Sequence, residues 1–132
     1  MINLPKTRDE KIDAIHHEEL VLLEQFLKVL EEGTDEEIKE IFSTFIEHMK
    51  MHFDHEESLM ENLDYYSMGE LHKGEHYKVL SEASYKLMNW NNFKDRDEIK
   101  EYLQEDFIPW LKQHIDAMDL GLVEQLRREK KS

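Results

Sequence analysis

Apolar residues recur at steps of three and four positions along four long stretches of the chain, which is the spacing of one buried helix face. The spacing predicts helices over residues 8–32, 35–62, 68–90 and 96–129. Four such helices with short links predict an all-α fold, an antiparallel up-down-up-down four-helix bundle that forms one domain over 1–132. The apolar stripes comprise Ile12, Leu20, Leu23, Leu27 and Leu30, then Ile38, Ile41, Phe45, Leu59 and Leu63, then Val79, Leu80, Ala83, Leu87 and Trp90, and finally Ile99, Leu103, Phe107, Leu111, Met118 and Leu126.

Local signals mark the ends of these helices. In a capping box the first residue and a glutamate three positions later satisfy each other's free backbone N–H groups. Such boxes are predicted at Thr7–Glu10, Thr34–Glu37, Ser67–Glu70 and Asp95–Glu98. Gly33 stands where a left-handed C-cap would end the first helix, and Pro109 is expected to kink the fourth helix or divide it.

Composition and charge narrow the range of functions. The chain has 17 basic and 31 acidic residues, a net charge of -14, which disfavours nucleic acid and anionic membranes as partners. It has no cysteine, which excludes thiolate catalysis, iron–sulfur clusters and cysteine-ligated zinc. No stretch approaches the ~18 apolar residues of a membrane span, and the N-terminus lacks an apolar signal region. We therefore expect a soluble, cytoplasmic protein without a membrane partner.

Histidines and carboxylates interrupt the apolar stripes in all four predicted helices. His16 lies in the stripe of the first helix. Residues four apart share one helix face, so each of the pairs His52–Glu56 and His72–His76 can bind one centre. His114 and Asp119 are five apart, which turns the helix face by about 140°. They must flank the site from two sides, or the helix must be locally overwound.

This set of residues indicates a metal centre. Burying these groups without partners costs several kcal/mol each, and hydrogen-bonded core histidines are a weaker explanation because all four helices contribute. Five imidazoles and two carboxylates exceed a tetrahedral zinc site and are too rich in nitrogen for calcium or magnesium. Two six-coordinate ions need twelve bonds. Five histidines and two bridging carboxylates supply nine, and a shared oxide or hydroxide supplies two. One position stays open for a small ligand, and this mixture of ligands suits iron.

Four segments of the chain resemble motifs of the hemerythrin family, especially its single-domain bacteriohemerythrins with their HHE cation-binding domain. The resemblance covers nearly the whole chain. The segments read DAIH at 13–16, HFDHEESLM at 52–60, HKGEH at 72–76, and WLKQHI at 110–115 followed by Asp119. Their order and spacing are those of the family, which makes the signal much more specific than an isolated HxxxH.

The resemblance implies a bundle built around two iron ions joined by an oxo or hydroxo bridge. It assigns His72, His76 and His114 to one iron and His16 and His52 to the other. It makes Glu56 and Asp119 the bridging ligands and places oxygen at the open position of the two-histidine iron. It also implies an apolar oxygen pocket, which maps onto Phe53, Trp110, Leu111 and Ile115.

The chain departs from the family pattern at several positions. An aromatic residue near the N-terminus is replaced by the segment Ile2-Asn3-Leu4-Pro5. The family has an apolar pocket residue three positions after the first ligand histidine. That position is Glu19 if the ligand is His16 and Leu20 if it is His17.

The downstream stripe favours His16, as does Asp13 three positions before it. Glu19 would then approach the open site, where a carboxylate would hydrate the pocket or move protons and favour autoxidation or peroxide chemistry. His48 is a candidate to support a ligand, whereas His17 and His55 are expected to be exposed.

The function predicted from these features is reversible oxygen binding for storage, delivery or scavenging. Molecular oxygen is the expected ligand, an electron-donor protein a further partner, and a monomer the expected state. The alternative is a di-iron redox enzyme or sensor that reacts with peroxide, nitric oxide or oxygen. An apolar pocket favours the carrier, and Glu19 favours the enzyme. Iron storage or a purely structural metal site fits less well, because one coordination position stays open.

Overall fold

A computed structural model describes residues 2–131, which form four helices and no strand. The first three helices are α1 (Glu10–Glu32), α2 (Asp35–Glu61) and α3 (Gly69–Phe93). The fourth, α4, covers residues 96–131 in five consecutive segments, of which the second and fourth are π-helical. These segments are Arg96–Glu101, Tyr102–Phe107, Ile108–His114, Ile115–Asp119 and Leu120–Lys131. The all-α bundle expected from the sequence is confirmed, and each helix bound lies within three residues of the predicted one.

The apolar stripes of the four helices meet in one core. Every stripe position predicted from the sequence is buried or half-buried. One end of the core is aromatic: the ring centroids of Phe26 and Phe42 lie 5.0 Å apart, and those of Phe45 and Phe107 lie 4.9 Å apart in an edge-on contact. These four rings come from α1, α2 and α4 and bury apolar surface between the three helices. Within residues 2–131, no helix combines the length and apolar character needed to cross a bilayer.

Two of the predicted helix starts have the expected side-chain caps. At α2, Thr34 Oγ1 accepts the Glu37 N–H at 3.2 Å, and Glu37 Oε1 accepts the Thr34 N–H at 2.9 Å, which completes the capping box. At α4, the Asp95 side chain accepts the Glu98 N–H at 3.2 Å, which is one of the two bonds of the predicted capping box. These bonds satisfy backbone donors that would otherwise be free at the first turn.

The capping box predicted at residues 7–10 is wrong. Asp9 is the N-cap of α1, and its side chain accepts the Ile12 N–H at 2.9 Å. The Thr7 hydroxyl instead donates to Asp13 at 2.8 Å. Asp13 therefore competes for the threonine, and α1 begins later than its sequence signal suggests.

Two other predicted caps differ from the structure. At residues 67–70 the N-cap is Met68, which makes no side-chain capping bond. Gly33 is extended, with φ -89° and ψ 174°, and is therefore not a left-handed C-cap. The left-handed cap of the bundle is at Lys94, with φ 53°, where α3 ends.

The break expected at Pro109 is absent, because α4 continues through it in consecutive α- and π-helical segments. The Ile108 N–H bonds to the Leu103 carbonyl, and the Leu120 N–H bonds to the Ile115 carbonyl, each five residues back. Pro109 is the second residue after the first of these π-helical segments, which ends at Phe107. Because proline has no N–H and its ring collides with the carbonyl of the preceding turn, a locally wider helix lets the chain continue without a break.

Candidate metal centre

All seven residues predicted as metal ligands lie in the interior of the bundle, and each is at most 2% exposed. Each of the four helices contributes at least one of them. They are His16 on α1, His52 and Glu56 on α2, His72 and His76 on α3, and His114 and Asp119 on α4. The bundle therefore brings into one place residues that are more than a hundred positions apart in the chain.

One group of ligand atoms, here called the three-histidine group, consists of His72, His76, His114, Glu56 and Asp119, whose ligand atoms lie within 4.8 Å of one another. The His72 and His114 Nε2 atoms are 3.1 Å apart, and those of His76 and His114 are 3.2 Å apart. Asp119 Oδ1 is 3.0 Å from His72 Nε2, and Glu56 Oε1 is 3.1 Å from His76 Nε2.

A second group, the two-histidine group, consists of His16 and His52 together with the same two carboxylates. The His16 Nε2 atom is 3.0 Å from Asp119 Oδ2 and 3.6 Å from Glu56 Oε2. The His52 Nε2 atom is 2.6 Å from Glu56 Oε2. His17, the alternative that the sequence left open, is exposed and takes no part in either group.

Glu56 and Asp119 each belong to both groups and divide their oxygens between them. Glu56 Oε1 and Asp119 Oδ1 face the three-histidine group, whereas Glu56 Oε2 and Asp119 Oδ2 face the two-histidine group. Glu56 Oε1 is buried and makes no hydrogen bond within the described residues. A buried carboxylate oxygen without a donor is costly, and a cation would satisfy it.

A π-helical turn explains how His114 and Asp119 reach the same centre. The segment Ile115–Asp119 is π-helical, and the Leu120 N–H bonds to the carbonyl five residues back. A helix with this hydrogen-bonding step brings residues five apart onto one face. His114 Nε2 and Asp119 Oδ1 are accordingly 3.2 Å apart. The sequence-based expectation of overwinding or flanking is wrong, because the helix is locally wider.

The outer nitrogen of His72 is held by a tyrosine. The Tyr66 hydroxyl lies 3.0 Å from His72 Nδ1 and donates to the Met118 carbonyl at 3.3 Å. A hydroxyl that donates to a carbonyl accepts from the imidazole, so the ring proton is on Nδ1. The His72 Nε2 lone pair then points into the three-histidine group.

Carboxylates hold two further imidazoles in the same orientation. His76 Nδ1 is 3.0 Å from Glu57 Oε2, and His114 Nδ1 is 2.8 Å from Glu75 Oε1. An ionised carboxylate only accepts, so the neutral form of these rings carries its proton on Nδ1. In that form the Nε2 lone pairs of His72 and His76 each lie within 3.2 Å of His114 Nε2. Three neutral imidazoles arranged in this way repel one another unless they share a cation, as metal ligands do.

Glu19 lies beside this centre but not where the sequence placed it. It is fully buried, and its Oε2 is 2.7 Å from His52 Nδ1, the ring nitrogen that faces away from Glu56. Its Oε1 is 3.9 Å from the half-buried His48, which reaches Glu18 at 3.3 Å. The contact of His48 with the centre thus runs through Glu19. Of the two histidines expected to be exposed, His17 is exposed and His55 is half-buried.

The charges of the cluster are strongly coupled. Burial lowers the pKa of His114, but bonds with Asp119 and Glu56 outweigh it and raise the pKa to about 10. The pKa of His52 is likewise raised well above its usual value, mainly by Glu19 and Glu56 acting against burial. The carboxyl pKa of Asp119 is lowered despite burial and the nearby Glu56, because imidazoles bond to it. The buried carboxylates therefore need positive charge, from protonated imidazoles or from a metal.

Aromatic rings cover one side of the centre. Phe53 stacks on His76 with centroids 4.0 Å apart and an interplanar angle of 5°, and Trp110 stacks on His114 at 4.5 Å and 22°. Phe53 and Trp110 meet edge-on at 6.1 Å. Leu111 and Ile115 are fully buried in the same hydrophobic core as Phe53. These side chains exclude water from the ligands they touch.

Two cavities approach the centre from outside. One of about 190 Å³ lies under the N-terminal segment, and its lining includes Leu4, His16 and Leu20. A larger cleft of about 760 Å³, lined by Trp110 and His114 among others, follows α3 and α4. The smaller cavity reaches the two-histidine group, and the larger one reaches the three-histidine group.

Sequence reasoning missed Tyr66, Glu57 and Glu75. Glu57 follows a ligand position directly and Glu75 precedes one, which is the only local signal that they carry. Each bonds to a histidine on the next helix rather than on its own: Glu57 of α2 reaches α3, and Glu75 of α3 reaches α4.

Comparisons with known proteins agree with this site. The family model of the hemerythrin HHE cation binding domain matches residues 7–126. The bacteriohemerythrin of Aquifex aeolicus (strain VF5) is 29% identical over 115 residues, which is 87% of this chain and 87% of that protein. No solved structure matches the chain.

Proposed function

Because the chain belongs to the hemerythrin family, whose members bind iron, we propose that it holds two iron ions in this core and binds molecular oxygen reversibly. The proposed ligands are His72, His76 and His114 for one iron and His16 and His52 for the other. Glu56 and Asp119 bridge the two.

The observation that carries this proposal is the division of the two carboxylates between two groups of imidazoles. Each carboxylate directs one oxygen to each group, at distances of 2.6 to 3.6 Å from the imidazole nitrogens it faces. A single metal ion would leave one histidine group and two carboxylate oxygens without a cation. Two ions satisfy every one of these atoms, and imidazole with carboxylate is a ligand set that suits iron.

The chain also supports a vacant coordination position on one iron only. Three histidines and two carboxylate oxygens surround one centre, and two histidines and two oxygens surround the other. The small cavity beside His16 leads to the second centre. A diatomic molecule could reach it there. The larger cleft approaches the first centre, but the additional histidine of that centre occupies the position that stays open on the second.

When bound, a reduced iron pair supplies the electrons that hold oxygen reversibly. The chain supplies the rest. Glu57, Glu75 and Tyr66 fix three imidazole rings by their outer nitrogens. Apolar walls keep water and protons from the bound ligand, which lowers the rate at which it would leave as a reduced oxygen species.

The test is a visible spectrum of the reduced, iron-loaded chain as air is admitted and then replaced by argon, with iron counted per chain. We expect two irons per chain and a band that appears with air and vanishes under argon. Rapid, permanent oxidation without an oxygenated form would contradict reversible binding and support the alternative, a redox enzyme acting on peroxide or nitric oxide. Less than one iron per chain would contradict the centre itself.

Phe53 offers a test of the apolar wall. We expect Phe53→Leu to shorten the lifetime of the oxygenated form several-fold. The Phe53 ring contacts His52 of the two-histidine group at 5.0 Å as well as His76 at 4.0 Å, and a smaller side chain there admits water. The lifetime is followed as decay of the air-dependent absorption band.

Phe42→Leu is the matched control for this variant. Phe42 is an equally buried phenylalanine on the same helix, and it contacts Phe26 and Phe45 rather than any histidine. Both changes should cost about 1–3 kcal/mol of folding stability, but only the change at Phe53 should shorten the oxygenated lifetime. Equal lifetimes in the two variants would contradict a protective role for Phe53.

A further inference from the structure

Glu19 is a carboxylate buried deep between α1 and α2, next to one ligand of the proposed iron pair. It is 0% exposed, and its Oε2 lies 2.7 Å from His52 Nδ1. Its other oxygen is 3.9 Å from His48 Nδ1. Glu19 is in neither ligand group, so its position calls for a different role from that of the ligands.

The position of Glu19 determines which nitrogen of His52 faces the centre. Glu19 Oε2 and His52 Nδ1 form a close ion-pair contact at 2.7 Å rather than an aligned hydrogen bond. An ionised carboxylate only accepts hydrogen bonds, so this contact favours a ring proton on the neighbouring His52 nitrogen. The other nitrogen, Nε2, then presents its lone pair toward Glu56, which lies 2.6 Å away. A carboxylate on the outer nitrogen of a ligand histidine sets the ring orientation and makes the imidazole a stronger electron donor.

Glu19 differs from the other carboxylates that hold ligand histidines. The Glu57 and Glu75 side chains are 33% and 29% exposed, whereas that of Glu19 is 0% exposed. Water and salt screen a buried charge far less than an exposed one. The effect of Glu19 on its histidine should therefore be the strongest of the three.

The two histidines of the two-histidine group are also unlike each other. Neither His16 Nδ1 nor His52 Nδ1 makes an aligned hydrogen bond within residues 2–131, and both atoms are buried. Of the two, only His52 has a carboxylate oxygen close to its outer nitrogen, that of Glu19 at 2.7 Å. The electronic character of this centre therefore depends mainly on one pair, Glu19 and His52.

We propose that Glu19 is a positioning residue that orients His52 and strengthens its donation to the iron of the two-histidine group, so that the ferric state is favoured. This inference rests on the proposed iron pair. The Glu19 carboxylate then acts through His52 and does not touch bound oxygen. Because it favours the ferric state, the oxygenated form has a shorter lifetime than it would have with an apolar residue at position 19.

The test compares Glu19→Gln with Glu24→Gln in the iron-loaded chain. Glutamine keeps the shape of the side chain and removes its charge, and Glu24 is an exposed glutamate on the same helix. We expect Glu19→Gln to raise the midpoint potential of the iron pair and to weaken binding of the second iron by roughly 10–100-fold. Glu24→Gln should change neither. Glu19→Asp, which keeps the charge, should restore part of the original potential.

A purely structural role for Glu19 would lower folding stability without moving the potential of the loaded protein. An unchanged potential in Glu19→Gln with two irons bound would therefore overturn the proposal.

If Glu19 variants fail to fold, the zinc-loaded wild-type chain still decides the matter by nuclear magnetic resonance. A proton on His52 Nδ1 that is protected from exchange and shifted far downfield is expected, and its absence would overturn the proposal. The zinc experiment does not depend on iron or oxygen. It therefore separates failure of this inference from failure of the proposed function, which the iron count and the air-dependent spectrum report.

Discussion

Removal of both irons is expected to lower the melting temperature of the chain by roughly 10–20 °C at pH 7. The centre buries two carboxylates and five imidazoles, each at most 2% exposed, and uncompensated buried charge costs several kcal/mol. For a domain of this size each kcal/mol corresponds to roughly 2–8 °C, and metal binding contributes directly to folding free energy. Melting of iron-loaded and chelator-treated chains, followed by circular dichroism, measures the difference.

The pH dependence of the iron-free chain gives a second signature of the same effect. Its imidazoles must supply the positive charge, and bonds with Asp119 and Glu56 raise the pKa of His114 to about 10 against the effect of burial. A raised pKa stabilises the fold below the unfolded value of about 6.5. That stabilisation is lost as the pH rises toward 10.

The iron-free chain should therefore lose stability between about pH 6.5 and 10. The iron-loaded chain should not, because its ligated imidazoles are neutral throughout this range. The contribution of Glu19 to folding stability changes with pH in the opposite direction. Interaction with His52 and His48 lowers its pKa to about 2 despite burial, so its contribution is present above about pH 4.5 and lost as the pH falls toward 2. Equal melting temperatures with and without iron at every pH would contradict a metal centre in this core.

Replacement of Asp119 by asparagine is expected to reduce the iron content from two ions per chain to one or fewer. Asp119 Oδ1 lies 3.0 Å from His72 Nε2, and Oδ2 lies 3.0 Å from His16 Nε2. Asparagine keeps the shape but has one oxygen and no charge, so it can serve only one group and presents an amide N–H₂ to the other. Iron per folded chain, measured by elemental analysis after loading and desalting, gives the result.

Asp116→Asn is the matched control. Asp116 is exposed and lies in the same π-helical segment as Asp119. The Asp116→Asn variant should keep two irons per chain. Two tightly held irons in Asp119→Asn would contradict the bridging role. A loss of iron in both variants would instead show that the π-helical segment, rather than the Asp119 carboxylate, is what the site requires.

The helices and the burial of their stripes could be predicted because both depend on residues a few positions apart. The spacing of three and four residues locates the buried face of each helix, for example at Leu23 in the first and Ile38 in the second. No predicted stripe position is exposed. The caps were less predictable, because a cap depends on competition within a short segment. Asp13 takes the Thr7 hydroxyl, so Asp9 caps the helix instead.

The ligand candidates could also be found from the sequence, since histidine is rare inside an apolar stripe. The relation of His114 to Asp119 could not, because whether a helix widens into a π-turn depends on what it must reach. The partner of Glu19 was equally hidden. Because Glu19 lies three positions after His16, the sequence suggested a place in the oxygen pocket. The structure instead places its carboxylate beside the outer nitrogen of His52.

The sequence by itself determined an all-α chain, four apolar helix faces, and a set of imidazoles and carboxylates on those faces, because helical periodicity is local. Only the tertiary structure decided how the carboxylates divide their oxygens, and which acid holds which imidazole. Glu19, Glu57 and Glu75 each place a carboxylate oxygen within 3.0 Å of a histidine on the following helix. Such pairs depend on how far neighbouring helices are shifted and rotated against each other. Packing of the whole core sets that geometry, and no short stretch of sequence contains it.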